Sequence, residues 1–155
     1  MQSTSPMTSL PEEQQVMTLL LDLLQQEQSH LVSADIDKLT EVTAQKSNLV
    51  GKMAALAHVR HNALGAAGFA AQESGMQAWM VASGNSADTK LWRQVLDLTR
   101  AAKEINRVNG MLINKHMAHS QGALNALHPN AQGGDVYGPS GHASKALLNR
   151  RFVIG

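Results

Sequence analysis

Apolar side chains recur every three to four residues along three long stretches of the chain, which is the spacing of amphipathic helices. The repeat positions of the first stretch are Val16, Leu20, Leu23, Glu27 and Leu31, all of them apolar except Glu27. Ahead of it, Ser9 offers a capping side chain, Pro11 suits a first helical turn, and Glu12 stands three residues after Ser9. A first long helix is therefore predicted to begin at this point.

The second stretch follows a break at Ser33-Ala34-Asp35, where Ser33 and Asp35 can each cap a helix. Its seam alternates spacings of three and four, as in a coiled coil, at Leu39, Val42, Lys46, Leu49, Met53 and Leu56. Gly65 and Gly68 supply the permissive backbone that ends helices, so the second long helix is predicted to end near Leu64.

Residues 66–85 contain three glycines and predict one short helix, around Met76, Trp79 and Met80. The third long helix is predicted to begin at the cap cluster of residues 85–88. Nothing stops it before Pro129, which gives about 40 residues and a length of about 60 Å. Its apolar stripe thins past Leu112 and runs through Leu91, Val95, Leu98, Ala102, Ile105, Val108, Leu112, Met117, Leu124 and Leu127, with Trp92 and Ile113 at its edges.

These elements predict an all-α fold. Three long helices joined by short links favour an antiparallel up-down bundle with coiled-coil-like packing and one short helix between the second and third long helices. Glycine, proline and asparagine dominate from Asn130 onward, which predicts a flexible C-terminal tail. We therefore expect a helical bundle domain over residues 1–130 and a flexible tail over residues 131–155.

Charge and composition narrow the classes of partner. Thirteen basic and twelve acidic residues leave a net charge of +1, so the chain has no field that would attract nucleic acid. The longest strongly apolar run, Leu19 to Leu24, is far shorter than the roughly 20 residues that span a bilayer, which predicts no membrane insertion. Cysteine is absent and residues 1–9 lack a secretory basic region, so the cytoplasm is the expected location.

Motifs for catalysis and metal binding are incomplete. Glu27 and His30 have the spacing of carboxylate-bridged di-metal bundles, but those bundles need the motif twice and no second copy exists. Two histidine pairs lack a carboxylate on the neighbouring turn: His58 with His61, and His116 with His119. No Gly-x-Ser-x-Gly elbow or phosphate loop is present. The sequence therefore predicts neither an enzyme nor a bound metal or cofactor.

Asn109 and Gly110 are poor helix formers inside the third long helix. One interpretation is that Asn109 sets the register by bonding across a seam while Gly110 lets a neighbour approach closely. The other is that the helix is left marginally stable, so that it shifts when a partner arrives. The sequence leaves both open.

The order of these features resembles the FlgN family of flagellar export chaperones. The resemblance covers about residues 19–141: two helices, a glycine-broken middle, a long helix with Asn106-x-x-Asn109-Gly110, and the motif Tyr137-Gly138-Pro139-Ser140-Gly141. The chain departs from the family pattern at Ile105, where leucine is usual, and in its apolar end, residues 152–154.

The resemblance implies a chaperone that binds the C-terminal helical regions of the hook-filament junction proteins FlgK and FlgL. It would prevent their premature assembly and deliver them to the flagellar type III export gate. The third long helix would then form the client-binding surface, with the residues Ile105, Val108, Asn109, Leu112, Ile113, Met117, Leu124 and Leu127. By the same resemblance, Tyr137, Gly138 and Pro139 would dock the chaperone on the gate protein FlhA.

The packing of amphipathic helices is compatible with that task, because the apolar face of a client helix can lie in a groove between bundle helices. A second copy of the chain, forming a homodimer, is another candidate partner for the same surface. The alternative function is a structural coiled-coil adaptor without an export role. That alternative explains the coiled-coil spacing of the apolar residues but does not explain the motif of residues 137–141.

Overall fold

The computed structural model describes residues 4–127. The expected tail and the expected domain boundary at residue 130 lie outside the described residues. Within them, the chain forms four helices: α1 (Leu10–Ser33), α2 (Ile36–Ala66), α3 (Glu73–Ser83) and α4 (Ser86–Leu127). The predicted all-α fold, with three long helices and a short one before the last, is confirmed.

The start of α1 is where the sequence predicts it, but the expected cap is made differently. Ser9 precedes the helix without a hydrogen bond from its side chain to the backbone. Its hydroxyl instead donates to Oε1 of Glu13 at 2.9 Å. Ser9 is buried and lies beside a charged group, so its hydroxyl serves the Glu13 carboxylate rather than a free backbone N–H.

The links between helices use the residues that the sequence marks as breaks. Ala34 adopts a left-handed conformation with φ of 55°, and Asp35 then caps α2 by accepting from the Lys38 amide at 3.2 Å. At the far end of α2, Gly68 has a φ of 87°. Asn85 caps α4, because its Oδ1 accepts from the Asp88 amide at 2.9 Å.

The long helix α1 stands between the other two. Both α2 and α4 pack along it, whereas the backbones of α2 and α4 make at most marginal contact with each other. The short link at Ala34 makes α1 and α2 antiparallel. Gln14 bonds to Gln94, and further along Asn109 bonds to Leu24, so α1 and α4 run parallel. The three long helices therefore run up, down and up.

The core consists of two clusters of buried side chains at different heights. The cluster near α3 contains Leu10, Leu64, Met76, Trp79, Met80, Trp92 and Val95. The cluster in the middle of the long helices contains Val16, Met17, Leu20, Leu24, Met53 and Ala102. Among residues 4–127, no helix is both long enough and apolar enough to cross a membrane.

Candidate partner-binding site

The end of α4 projects beyond the rest of the bundle. Asn109 lies level with Leu24 and Glu27 of α1, to which it is hydrogen-bonded. From that level α1 has only its last turns left before it ends at Ser33, whereas α4 continues to Leu127. At about 1.5 Å per residue, α4 extends about 15 Å past the end of α1. Residues 114–127 are accordingly all exposed.

A row of apolar side chains continues onto this projecting end. Ile113 is half-buried, while Met117, Leu124 and Leu127 are 49%, 53% and 74% exposed. These four residues, called the α4 stripe below, are spaced by four, seven and three positions and therefore lie on one face of the helix. An apolar row that residues 4–127 leave uncovered is typical of a surface that binds another protein.

The other predicted client-binding residues lie deeper in the bundle. Ile105 is partly buried and packs against the middle core cluster, and Val108 and Leu112 are also partly buried. Asn109 is 1% exposed. The structure therefore places four of the eight predicted residues on the α4 stripe, and the other four are buried or partly buried. Tyr137, Gly138 and Pro139 lie outside the described residues.

Asn109 and Gly110 have different surroundings. The Asn109 amide nitrogen donates to the Leu24 carbonyl and to Oε1 of Glu27, each at 2.9 Å. These bonds across the α1–α4 seam support the register interpretation for Asn109. At Gly110, an added Cβ would meet no atom within 4 Å. No described neighbour approaches Gly110 closely, so that part of the interpretation does not apply within residues 4–127.

A cleft of about 520 Å³ opens between α2 and α4, here called the α2/α4 cleft. Within the described part of the chain, its lining comes from α2, α3 and α4. The apolar lining is mainly Val50, Met53, Ala54, Ala57, Trp92, Val95 and Leu96. The ionisable side chains that line it are His58, Arg60, His61, Glu73 and Lys103. The cleft combines an apolar floor with a polar rim.

Arg60 is buried beside this cleft and connects α2 to the other three helices. Its Nε donates to the Glu13 carboxylate at 3.0 Å, and its Nη2 donates to Oε1 of Glu73 at 2.6 Å. Its guanidinium carbon lies 4.8 Å from the centre of the Trp92 ring, which adds a cation–π contact. Oε1 of Glu73 also lies 3.0 Å from Nε2 of His61.

Burial and ion pairing have opposite effects on the pKa values of Arg60 and Glu73. Burial disfavours the charged form of Arg60, but the hydrogen bonds that it donates to Glu73 and Glu13 more than offset this, and its pKa is raised. Burial likewise opposes ionisation of Glu73. The hydrogen bond and charge of Arg60, with those of His61, outweigh that effect and lower the pKa of Glu73. Both groups are therefore charged near neutral pH.

The Glu13–Arg60 pair was missed by the sequence reasoning, although a signal for it exists. Glu13 continues the alternation of three and four that places Leu10, Met17, Leu20, Leu24 and Glu27 on one face of α1. Arg60 stands in the same way after Met53 and Leu56 on the seam of α2. A charged residue at a seam position predicts a buried partner of opposite charge on the facing helix.

Three of the candidate metal ligands are engaged in hydrogen bonds with other side chains. Glu27 accepts from Nζ of Lys46 at 3.0 Å and from the Asn109 amide. His61 bonds to Glu73, and His58 bonds to Asn62. In the part of the chain that the structure describes, no group of three or more His, Cys, Asp or Glu side chains is placed to hold a metal ion.

Comparison with known proteins identifies relatives along nearly the whole chain. A model of the FlgN family, described as FlgN protein, matches residues 1–145. A flagella synthesis protein FlgN from Yersinia enterocolitica is 30% identical over 150 residues, which cover 95% of both chains. A flagella synthesis protein FlgN from Proteus mirabilis is 31% identical over 121 residues, 78% of this chain and 76% of that protein. No solved structure shows significant similarity.

Proposed function

The chain belongs to the FlgN family, and from this premise we propose that it is a cytoplasmic export chaperone for the hook-filament junction proteins FlgK and FlgL. It binds their C-terminal helical regions, prevents their premature assembly and delivers them to the flagellar type III export gate. The family consists of non-enzymatic flagellar proteins, so the work of the chain is binding rather than chemistry.

The observation that carries this proposal is the uncovered α4 stripe. Three of its four side chains are about half or more exposed, and they lie on a helix end whose residues 114–127 are all exposed. Fully burying a side chain such as Leu or Met is favourable by about 1.5–3 kcal/mol. A client helix that covers the stripe gains this stabilisation and hides its own apolar face at the same time.

That exchange accounts for both parts of the chaperone task. While the client helix packs on α4, its apolar face is unavailable for assembly with other client molecules. The stripe holds the client through apolar contacts without covalent chemistry, so release needs only a competing surface. In this proposal Tyr137, Gly138 and Pro139 dock the loaded chaperone on the gate protein FlhA, where that release takes place.

The stripe is tested by placing charges on it. In the variant with Ile113→Asp and Leu124→Asp, a client helix would have to desolvate two carboxylates, which is strongly unfavourable. We expect isothermal titration calorimetry to show at least about a hundred-fold weaker binding of FlgK and FlgL C-terminal segments.

The matched control is Ala118→Asp, which adds the same charge to the projecting end on the opposite side of the helix from the stripe. It should bind both segments within about two-fold of the unmodified chain. Unchanged affinity of the double variant would show that the stripe is not the client surface. If the unmodified chain bound neither segment, the structural adaptor would be the better interpretation.

A further inference from the structure

The carboxyl end of the chain is apolar, although the segment before it is polar. Six of the ten residues 146–155 are apolar, namely Ala146, Leu147, Leu148, Phe152, Val153 and Ile154. Residues 128–145 consist mainly of glycine, proline and polar residues. Residues 146–155 also lie beyond the match to the FlgN family model. Apolar side chains grouped in this way favour burial against another apolar surface, and neither the client surface nor the gate motif accounts for them.

The α4 stripe has an exposed apolar neighbour on α2. Nζ of Lys46 donates to Oδ1 of Asn106 at 3.2 Å, so these two residues are level in the antiparallel helices α2 and α4. Ile36 stands ten residues before Lys46, and Met117 stands eleven residues after Asn106. Ile36 and Met117 are therefore level to within about one residue. They are 69% and 49% exposed.

Ile36 and Met117 also face the same side of the bundle. Five helical turns, or 18 residues, separate Ile36 from Ala54 and Met117 from Thr99, so the members of each pair share a face of their helix. Ala54 and Thr99 line the α2/α4 cleft. Ile36 and the α4 stripe therefore continue the two walls of that cleft toward the end of α4. Together they are called the upper groove below.

The charges beside the upper groove are compatible with a basic segment. No Lys, Arg, Asp or Glu flanks the α4 stripe, whose flanking positions on α4 are Asn114, His116, Gln121 and Ala123. Asp37, next to Ile36, is exposed and has no ion-pair partner within residues 4–127. Arg150 and Arg151 of the apolar end would thus meet no lysine or arginine beside the stripe, and either could pair with Asp37.

The length of the chain after α4 suits the distance to the upper groove. About 20 residues connect Leu127 to the middle of residues 146–154. A flexible linker of about 20 residues spans about 25 Å on average, and the α4 stripe is about 21 Å long. Such a linker gives an effective concentration of the order of 1 mM. The end of the same chain therefore outcompetes the end of a second copy at micromolar protein concentrations.

We propose that residues 146–154 bind the upper groove of their own chain while no client is present. Their apolar side chains pack on the α4 stripe and on Ile36. Ordering these residues costs conformational entropy, so the contact is weak and a client helix displaces it. The competition with a client rests on the proposed function, in which the same segment supplies the competing surface that releases the client at the gate.

The absence of cysteine from the chain allows a direct test in the full chain. Ser120→Cys places a thiol on the stripe face, between Met117 and Leu124, and Asn149→Cys places one inside the apolar end. The two thiols form a disulfide by exchange with oxidised glutathione, which is reduced, and the equilibrium measures their effective concentration. Ala118→Cys with Asn149→Cys is the matched control, because Ala118 lies on the opposite side of α4.

We expect the effective concentration of the Ser120→Cys and Asn149→Cys pair to be at least about five-fold higher than that of the control pair. A smaller ratio would mean that the apolar end does not prefer the upper groove, and the proposal would be wrong. Disulfides formed mainly between two chains, seen as dimers on non-reducing gels, would assign the groove to a second copy and would also overturn it.

The competition with a client is tested by charges in the apolar end. Leu148→Asp with Phe152→Asp should tighten the binding of FlgK and FlgL C-terminal segments by at least about three-fold, because the competing segment no longer binds the groove. Ala131→Asp with Ser144→Asp adds the same charge outside the apolar end and should change the affinity by less than about two-fold. A smaller gain for the first variant, or an equal gain for both, would contradict the competition.

These outcomes separate this inference from the proposed function. If the client segments do not bind the unmodified chain but the Ser120→Cys and Asn149→Cys pair still exceeds its control, the contact of the apolar end stands and the export role is overturned. If the two cysteine pairs are equal while the client segments bind the α4 stripe, the export role stands and the contact of the apolar end is overturned.

Discussion

Arg60 lies inside the bundle although arginine is rarely fully buried unless it is paired. Its partner Glu13 is also fully buried, and Glu73 and the Trp92 ring complete its surroundings. Removing two charges from water is unfavourable, so each is tolerated inside the bundle because the other neutralises it. The two residues therefore act as a unit, and loss of one leaves the other as an unpaired buried charge.

Replacing Arg60 by methionine tests this unit. Arg60→Met keeps much of the side-chain volume but leaves the Glu13 carboxylate buried without its cation. We expect the free energy of unfolding, measured by urea denaturation, to fall by about 3–5 kcal/mol. Arg100→Met is the control, because Arg100 is 75% exposed in a surface pair with Asp97 and should change stability by no more than about 0.5 kcal/mol. Similar losses for the two variants would contradict the buried pair.

The sequence predicts the positions of these residues better than their partners. Lys46 and Glu27 are part of the predicted seams, and the structure pairs them at 3.0 Å across α1 and α2. Glu13 and Arg60 stand two heptads away from Glu27 and Lys46 along the same seams, and they pair as well. Which charge meets which depends on the register of the antiparallel helices, a tertiary property that the spacing within one helix does not contain.

Among the helices, α4 carries the proposed client-binding surface. It also contains two adjacent poor helix formers, Asn109 and Gly110. Its start at residues 85–88, its length and the thinning of its stripe past Leu112 are all predicted from caps and periodicity, because these signals are local. The hydrogen bonds of Asn109 to α1 were one of two interpretations. The structure supports that one, because the amide is buried and used.

A substitution at Gly110 measures the contribution of helix propensity in α4 without a change in packing. An added Cβ there meets open space, so Gly110→Ala should raise the free energy of unfolding by about 0.5–1 kcal/mol through helix propensity alone. The comparison is Gly75→Ala in α3, where an added Cβ would collide with the Ala70 carbonyl group. That variant should be destabilised in the same urea titration. Destabilisation of Gly110→Ala would show that a neighbour does approach Gly110.

At the scale of the whole molecule, residues 4–127 form a bundle with one side that they leave open. The sequence predicts the number and order of the helices, since each has its own periodicity and caps. It does not predict that α1 is the helix shared by the other two, or that a cleft remains between α2 and α4. Those features depend on the path that the chain takes through α3, which the pattern within each helix does not specify.

Two features of the molecule expose apolar helical surface. The α4 stripe is an exposed apolar face on a projecting helix, and the α2/α4 cleft is an apolar gap with a polar rim. Both are places where residues 4–127 leave helical surface uncovered. The central claim is that a helix supplied by a partner covers this surface, beginning at the end of α4.

Hydrogen–deuterium exchange of the full chain, read by mass spectrometry, tests that claim most directly. Local protection reports how readily each helix opens, and residues 114–127 of α4 are all exposed. We predict that amides of residues 114–127 exchange faster than those of α1 in the free chain, and at least about ten-fold more slowly once FlgK or FlgL C-terminal segments are bound. Protection of residues 114–127 equal to that of α1 in the free chain, or unchanged by the bound segments, would contradict the claim.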